Sequence, residues 1–259
     1  QRQLRKDWES GETTVTIDGL NDNYPIDLEG MDNTDIANFL ITANKGISDK
    51  QTIGVVVSGG FDSSLLWYFI NEYKRPDQKV IPFTVPKVDG ALTYANRMLE
   101  WYSKLKNTKR LHPIVINQEG VDWNRNDYQG DEVAQQLLNG IKEIVDNNMA
   151  DVVFTGVNDY PPHYRTLCSY HTPAPRKKVS ESDYVHNGVP IQEIIKQPFA
   201  DYTKDFLVRL AWELGILDDV AEFSHSCVEK IRGRCNECFW CNERSWAFQE
   251  ADLSDIGKE

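Results

Sequence analysis

The 259-residue chain has no apolar run of membrane-spanning length, no basic-then-apolar leader, and no internal repeat or low-complexity tract. Those absences argue against a spanning helix or a solenoid and lead us to expect a cytoplasmic chain. Positive charge is in deficit too. Twenty-eight Lys and Arg stand against 40 Asp and Glu, a formal net charge of −12, which disfavours a general affinity for nucleic acid because that needs cationic patches to displace counterions. Two clusters, Arg176-Lys177-Lys178 and Lys230, Arg232 and Arg234, leave room for a local basic face. Cysteine is scarce, five in all, but four of them fall between residues 227 and 241. In a chain without a leader such bunching favours metal ligation over disulfides. Hydrophobic residues at 40% suffice for a sizeable core, and the length fits one large α/β domain or a domain with an appendage.

The stretch around which the rest is organised runs from Val55 to Leu66. Ile53 to Val57 is a short β-branched run, read as a strand buried on both faces as in parallel sheets. Leu65, Leu66, Trp67, Phe69 and Ile70 then follow at helical spacing. The joint is Ser58-Gly59-Gly60-Phe61-Asp62-Ser63-Ser64. A glycine pair at a strand-to-helix turn lets backbone N–H groups approach a ligand. The helix N-terminus favours phosphate, and serine hydroxyls add donors. Asp62 would repel phosphate unless a cation or water mediates. As a plain turn, the same stretch would use Asp62 or Ser63 as a helix cap. No Gly-Lys-Ser/Thr follows, so this is not a Walker loop, nor is it a Gly-x-Gly-x-x-Gly dinucleotide turn.

Further along, strands are expected over 79–85, 111–116 and 151–155, and helices over 91–106 and 131–147. Leu92, Ala95, Met98, Leu99 and Tyr102 would form the inner face of the first helix, and Val133, Leu137, Leu138, Ile141, Ile144 and Val145 that of the second. Alternating strands and helices predict an α/β fold with a doubly wound parallel sheet, binding its ligands beyond the carboxyl ends of the strands. Residues 156–189 form a long segment without periodicity, whose Tyr160 offers a stacking surface and Arg165 an anion contact. His163, His171 and His186, scattered among prolines, read as surface residues. A helix over 204–214 stops at Gly215, with Thr203 or Asp201 as its cap. Lys204 in its first turn opposes the helix dipole. Beside a phosphate site it would neutralise a departing pyrophosphate; otherwise it is a solvent lysine. Within residues 1–50, Arg2 to Trp8 and Asn33 to Ile41 suggest helices and Glu12 to Ile17 an edge strand, together a packing extension.

Cys227, Cys235, Cys238 and Cys241 are spaced Cys-x7-Cys-x2-Cys-x2-Cys. Four thiolates so placed can close a tetrahedral zinc site with no open position, which would be structural rather than catalytic. An iron–sulfur cluster accepts the same ligands, and unligated thiols are the third reading. Zinc is favoured because nothing else in the sequence supports redox chemistry. The metal would fix Trp240 over the end of the domain.

The turn resembles the pyrophosphate loop Ser-Gly-Gly-x-Asp-Ser of the N-type ATP pyrophosphatases, which implies an adenine nucleotide alpha hydrolase-like, Rossmann-like fold and cleavage of ATP between its α- and β-phosphates. With Gly156-Val157-Asn158, Tyr160-Pro161, Arg165, Thr203-Lys204, Glu213-Leu214-Gly215, Ser226-Cys227 and Cys235-x2-Cys238-x2-Cys241-x2-Arg244, the chain resembles the 7-cyano-7-deazaguanine synthases (QueC/ExsB-like) over residues 52 to 248. The resemblance implies a ligase that adenylates 7-carboxy-7-deazaguanine, takes ammonia to the amide, and spends a second ATP on dehydration to the nitrile. It implies ATP and Mg²⁺ at Val57, Ser58, Gly59, Gly60, Phe61, Asp62, Ser63, Ser64, Phe83 and Thr84, with Asp62, Ser63 and Lys204 in catalysis. Substrate would border Gly156, Asn158, Tyr160 and Arg165, and the four cysteines would carry Zn²⁺. A homodimer follows from the resemblance alone.

The chain also departs from that family. The family's Gly-Tyr-Pro-Asp-Cys-Arg stretch is compressed here to Pro162-His163-Tyr164 before Arg165, its Asp-Tyr-Gly-Gln is replaced by Phe83-Thr84-Val85-Pro86, and its Trp before Ser-Cys is His225. Asn124-Arg125-Asn126 only weakly echoes its Val-Pro-x-Arg-Asn segment. ATP and metal positions match better than substrate positions, so a divergent member acting on another carboxylate is one expectation. A tRNA-modifying enzyme of the superfamily and a zinc-stabilised ATP-binding module without turnover are the alternatives. The expected organisation is an extension over 1–50, an ATP-pyrophosphatase domain over 51–220 and a small zinc-binding segment over 221–259.

Overall fold

The computed structural model describes residues 50–86, 90–117, 130–170, 173, 176, 178–179 and 182–257, with side chains of the third long helix from residue 136 onward. The elements expected in residues 1–49, the Asn124-Arg125-Asn126 echo, Lys177, His171 and the side chain of Val133 lie outside that set.

Five parallel strands make the sheet: β1 (Thr52–Val56), β2 (Lys79–Thr84), β3 (Ile114–Val115), β4 (Val152–Thr155) and β7 (Ile195–Lys196), in the order β3-β2-β1-β4-β7. β5 (Val185–His186) and β6 (Val189–Pro190) form a separate antiparallel hairpin. The helices are α1 (Phe61–Tyr73), α2 (Ala91–Leu105), α3 (Gly130–Asp146), α4 (Ile191–Ile194), α5 (Lys204–Glu213), α6 (Leu217–Phe223) and α7 (Phe239–Glu250).

β1 sits at the centre because its two faces feed two cores. Ile53, Val55 and Val57 join Phe61, Leu65, Trp67 and Phe69 of α1, Met98 of α2, Leu207 and Leu210 of α5, Val220 of α6 and Phe248 of α7. Val56 points the other way, to Phe83, Ile116, Ile141, Ile144, Val153 and Ile195. Period-two alternation with both faces apolar marks a strand covered by helices on each side. Each such fully buried large side chain contributes roughly 1.5–3 kcal/mol. Ala247 and Phe248 of the C-terminal helix belong to the same core as β1.

The third strand is shorter than the sequence suggests, two residues rather than six. Pro82 accounts for this: lacking an N–H it gives a neighbour no ladder bond, and β3 pairs only beyond it, at Phe83 and Thr84. Leu138 is also corrected; it is 52% exposed, while Ile141, Ile144 and Val145 carry the inner face of α3. Within the segment without periodicity lie a short 3-10 turn, Tyr164–Thr166, and the β5–β6 hairpin. β7, just after it, completes the sheet as a fifth strand. Among the described residues no helix is long and apolar enough to cross a membrane.

Candidate active site

The turn after β1 is built from its own side chains. Gly60, not Asp62 or Ser63, occupies the N-cap position of α1. The Ser63 and Ser64 hydroxyls donate to the Gly60 carbonyl at 3.2 and 2.8 Å, and Ser58 N–H donates to Ser63 Oγ at 3.2 Å. The first-turn N–H groups of α1 have no partner within the helix and face the end of the sheet. Gly59 has φ of +73°, and a Cβ there would stand 2.2 Å from the Tyr94 carbonyl carbon, so the turn requires glycine. Gly156, after β4, packs directly on the turn: its Cβ would meet Ser63 N at 2.9 Å.

Beyond the strand ends opens a cavity of about 250 Å³. Val57, Ser58, Gly60, Phe61, Asp62 and Ser63 line one wall, with Gly156 and Asn158 from the loop after β4, and Lys204 and Arg176 beside them. Tyr94, His225, Cys227 and Trp240 also line it, Tyr94 and His225 packing against the glycine pair. Four of the residues expected to hold nucleotide do not reach the cavity. Gly59 is buried against α2 and Ser64 under Gly60, while Phe83 and Thr84 are buried in the sheet, so that Val85 meets the cavity in their place.

The residues expected to border substrate divide. Arg165 is exposed on the 3-10 turn, its Nε donating to Tyr164 Oη at 3.2 Å. Tyr160 does not line the cavity either; it lies under Arg176, whose guanidinium carbon is 3.9 Å from the ring centroid. Arg176 is thus no part of a basic surface. Its Nη1 donates to the carbonyls of Asn158 and Asp159 at 2.7 and 3.1 Å, and its Nη2 pairs with Glu243 Oε1 at 3.2 Å. In the second basic cluster Arg234 pairs with Asp255 at 2.7 Å, while Lys230 and Arg232 are exposed.

Lys204, 3% exposed, begins α5 with its ammonium 3.1 Å from Asp62 Oδ2 and 2.8 Å from Glu243 Oε2. Burial by itself would lower the lysine's pKa, but the Asp62 and Glu243 carboxylates outweigh it and hold the ammonium above its ordinary value. Burial raises the Asp62 carboxyl, with Lys204 opposing and Glu243 adding to the rise. For Glu243 burial pulls upward, and Arg176 and Lys204 together hold it below its usual range. Asp62 Oδ1 is buried with no hydrogen-bond partner.

Glu243 and Arg176 were not singled out from the sequence. A signal for Glu243 exists: in α7 it and Arg244 fall among Phe239, Cys241, Ala247 and Phe248 on the buried side, away from the polar face of Asn242, Ser245 and Gln249, so these charges must be paired. Arg244 obeys the same rule. It donates to Asp255 from Nε and Nη2, both at 2.9 Å, and to the carbonyls of Ser224 and Ala221 at 3.1 and 2.7 Å, tying α7 to the end of α6. His225, too, has a place. It stacks on Tyr94 with centroids 4.2 Å apart, and its N–H donates to the Gly59 carbonyl at 3.0 Å.

The sulfurs of Cys227, Cys235, Cys238 and Cys241 lie within 4.8 Å of one another, Cys235 and Cys241 at 3.9 Å. Four thiolates around one metal at Zn–S of about 2.3 Å stand roughly 3.8 Å apart, so the four could hold a metal ion. Cys238 occupies the N-cap position of α7, and Cys227 touches the cavity.

A parallel sheet whose central strand passes through a serine–glycine turn into a helix, faced by a buried lysine, defines an α/β chain with its candidate site beyond the strand ends. Residues 179–252 match the family model described as Queuosine biosynthesis protein QueC, and over that segment, cysteines included, the chain is QueC-like. No curated protein matches the chain. Among solved structures, the U34-tRNA thiolase NcsA from Methanococcus maripaludis with its 4Fe-4S cluster aligns at TM-score 0.45 and 14% identity, covering 89% of this chain and 75% of that one. The NH3-dependent NAD synthetase from Campylobacter jejuni subsp. jejuni NCTC 11168, in complex with the nitrate ion, aligns at TM-score 0.40 and 15% identity over 72% and 74%. Both likenesses are loose.

Proposed function

We propose that the protein is an ATP-dependent ligase that adenylates a carboxylate and couples it to ammonia, with 7-carboxy-7-deazaguanine as the first substrate to test. The observation that carries this reading is Lys204, buried 3.1 Å from Asp62 at the start of α1, where the serine–glycine turn opens into the cavity. In the first half-reaction a substrate carboxylate oxygen attacks the α-phosphorus, the bond to the bridging oxygen breaks, and pyrophosphate leaves. Ammonia nitrogen then attacks the acyl carbon, AMP departs and a proton is released, giving the amide. Attack of the amide oxygen on a second ATP releases pyrophosphate; loss of AMP, carrying that oxygen, and of both amide protons then gives the nitrile.

The chain's part is electrostatic. Turn N–H groups and Ser58 would hold the β- and γ-phosphates, leaving the α-phosphate open to attack. Lys204 would offset charge building on the departing pyrophosphate, a contribution made mainly in the transition state. Mg²⁺ would be held by Asp62, whose partnerless Oδ1 suits a cation, and would supply further charge neutralisation on the phosphates. Carboxylate substrate would lie near Gly156 and Asn158, both on the cavity wall. Zn²⁺ held by the four cysteines would be structural. The resemblance that motivates the substrate also supports a homodimer, testable by light scattering.

Incubating the protein with ATP, Mg²⁺, ammonium and 7-carboxy-7-deazaguanine should yield AMP, pyrophosphate and the nitrile. AMP formation with a different carboxylate would replace the substrate and keep the chemistry. ADP as the product would overturn the reading.

A further inference from the structure

Two cations, Lys204 and Arg176, line the cavity, and one buried carboxylate stands behind both. Glu243 is fully buried and does not itself reach the cavity. Its Oε2 is 2.8 Å from Lys204 Nζ and its Oε1 3.2 Å from Arg176 Nη2. It sits on α7, while Lys204 opens α5 and Arg176 straps the loop after β4 through the Asn158 and Asp159 carbonyls. Four separate pieces of chain therefore meet on this one side chain and its two partners, with Asp62 of α1 as the fourth corner.

Lys204 has two carboxylates, and they are not equivalent. Asp62 lines the cavity, whereas Glu243 is held behind it between Lys204 and Arg176, so Asp62 is the one that an incoming cation would engage. A buried ammonium left with no counter-ion is strongly disfavoured. With Asp62 as its sole partner, Lys204 would be drawn onto that carboxylate and away from the phosphates, or would lose its counter-ion when Asp62 turned to a cation. Glu243 removes the conflict by keeping the ammonium charged and placed from behind. From this geometry we infer that Glu243 is a positioning residue for phosphate binding, acting through Lys204, with Arg176 as its second anchor.

The inference rests on the proposed ATP chemistry, and a binding experiment separates the two. The probe is pyrophosphate with Mg²⁺, titrated calorimetrically into the unmutated chain, Glu243→Gln, Lys204→Met and the double variant, each checked for folding by circular dichroism. Glu243→Gln should weaken pyrophosphate about tenfold in the unmutated background and less than about twofold once Lys204 is methionine, the coupling expected within one ion-pair network. Equal factors in the two backgrounds, or an unchanged affinity in Glu243→Gln, would overturn the role while leaving the ATP reading in place. Failure of the unmutated chain to bind pyrophosphate would overturn both. If Glu243→Gln does not fold, Glu243→Asp keeps the charge one methylene short and should show a smaller loss that again depends on Lys204; a loss independent of Lys204 would sink the proposal.

Discussion

Lys204 Nζ and Asp62 Oδ2 stand 3.1 Å apart, although 141 intervening residues separate them in the chain. The pair joins the first turns of α5 and α1, and it places a cation where the serine–glycine turn opens.

Asp62→Asn should reduce AMP formation by about 100-fold or more, the scale for losing a group that organises transition-state charge. It should not destabilise the fold. Burial raises this carboxyl, so the folded chain binds that proton more tightly than the unfolded chain does, and its ionised form opposes folding at neutral pH. Lys204 keeps Glu243 as a partner in the variant. Parallel melting curves and AMP assays check both halves.

Gly156→Ala should weaken ATP binding. The added methyl would lie 2.9 Å from Ser63 N and 3.0 Å from the Asp62 carbonyl carbon, both backbone atoms that cannot swing aside. The turn must shift, and a misplacement near 1 Å at a reacting site can cost about 100-fold. Titration with a non-hydrolysable ATP analogue reads the loss; an unchanged affinity would show that the turn is not the nucleotide site.

Purified protein should contain one zinc per chain by elemental analysis. Cys238→Ser should lower the melting temperature, because a closed metal site contributes folding energy. The same variant should shift the fluorescence of Trp240, which adjoins the cluster and the cavity. Iron accompanied by visible absorbance would replace the zinc assignment with a cluster.

Asp255→Ala should destabilise the chain by about 3 kcal/mol, the cost of leaving a buried cation unpaired. Burial would raise the Asp255 carboxyl, but the hydrogen bonds and charge of Arg244, then of Arg234, outweigh it and hold it below its ordinary value. A carboxyl depressed in the folded state adds stability that is complete above its unfolded pKa, about 3.9. That contribution is lost as pH falls through the lower folded value. Asp255→Asn should accordingly flatten the acid limb of the stability profile below about pH 4, measured by urea unfolding across pH.

What the sequence made legible follows from how local each signal is. β1, the serine–glycine turn and α1 form one continuous stretch, so buried-strand composition and the glycine pair place them directly. The cysteines are legible for the same reason: x2 spacings carry their own geometry. β7 was not, because two residues cannot display a period, and its strand character comes from pairing with β4. Arg176 and Glu243 meet across 67 positions, and composition alone made Arg176 look like part of a basic surface. Arg165 shows the opposite error. Its place in the sequence suggested an anion contact, but the 3-10 turn over Tyr164–Thr166 leaves its side chain exposed.

The strap from Gly59 to His225 and the ion pairs from Asp62 and Lys204 to Glu243 also bear on the order in which the molecule becomes competent. Chains emerge N-terminus first at about 5–20 residues per second, and early segments begin to fold as they appear. The turn after β1 is made early, yet its facing carboxylate and the stacked His225 arrive only when synthesis has passed residue 243, about 9–36 seconds after the turn itself at those rates. A nascent chain can therefore have its central sheet in place and still lack the complete cavity, whose lysine is left with Asp62 as its acidic partner until Glu243 has been added.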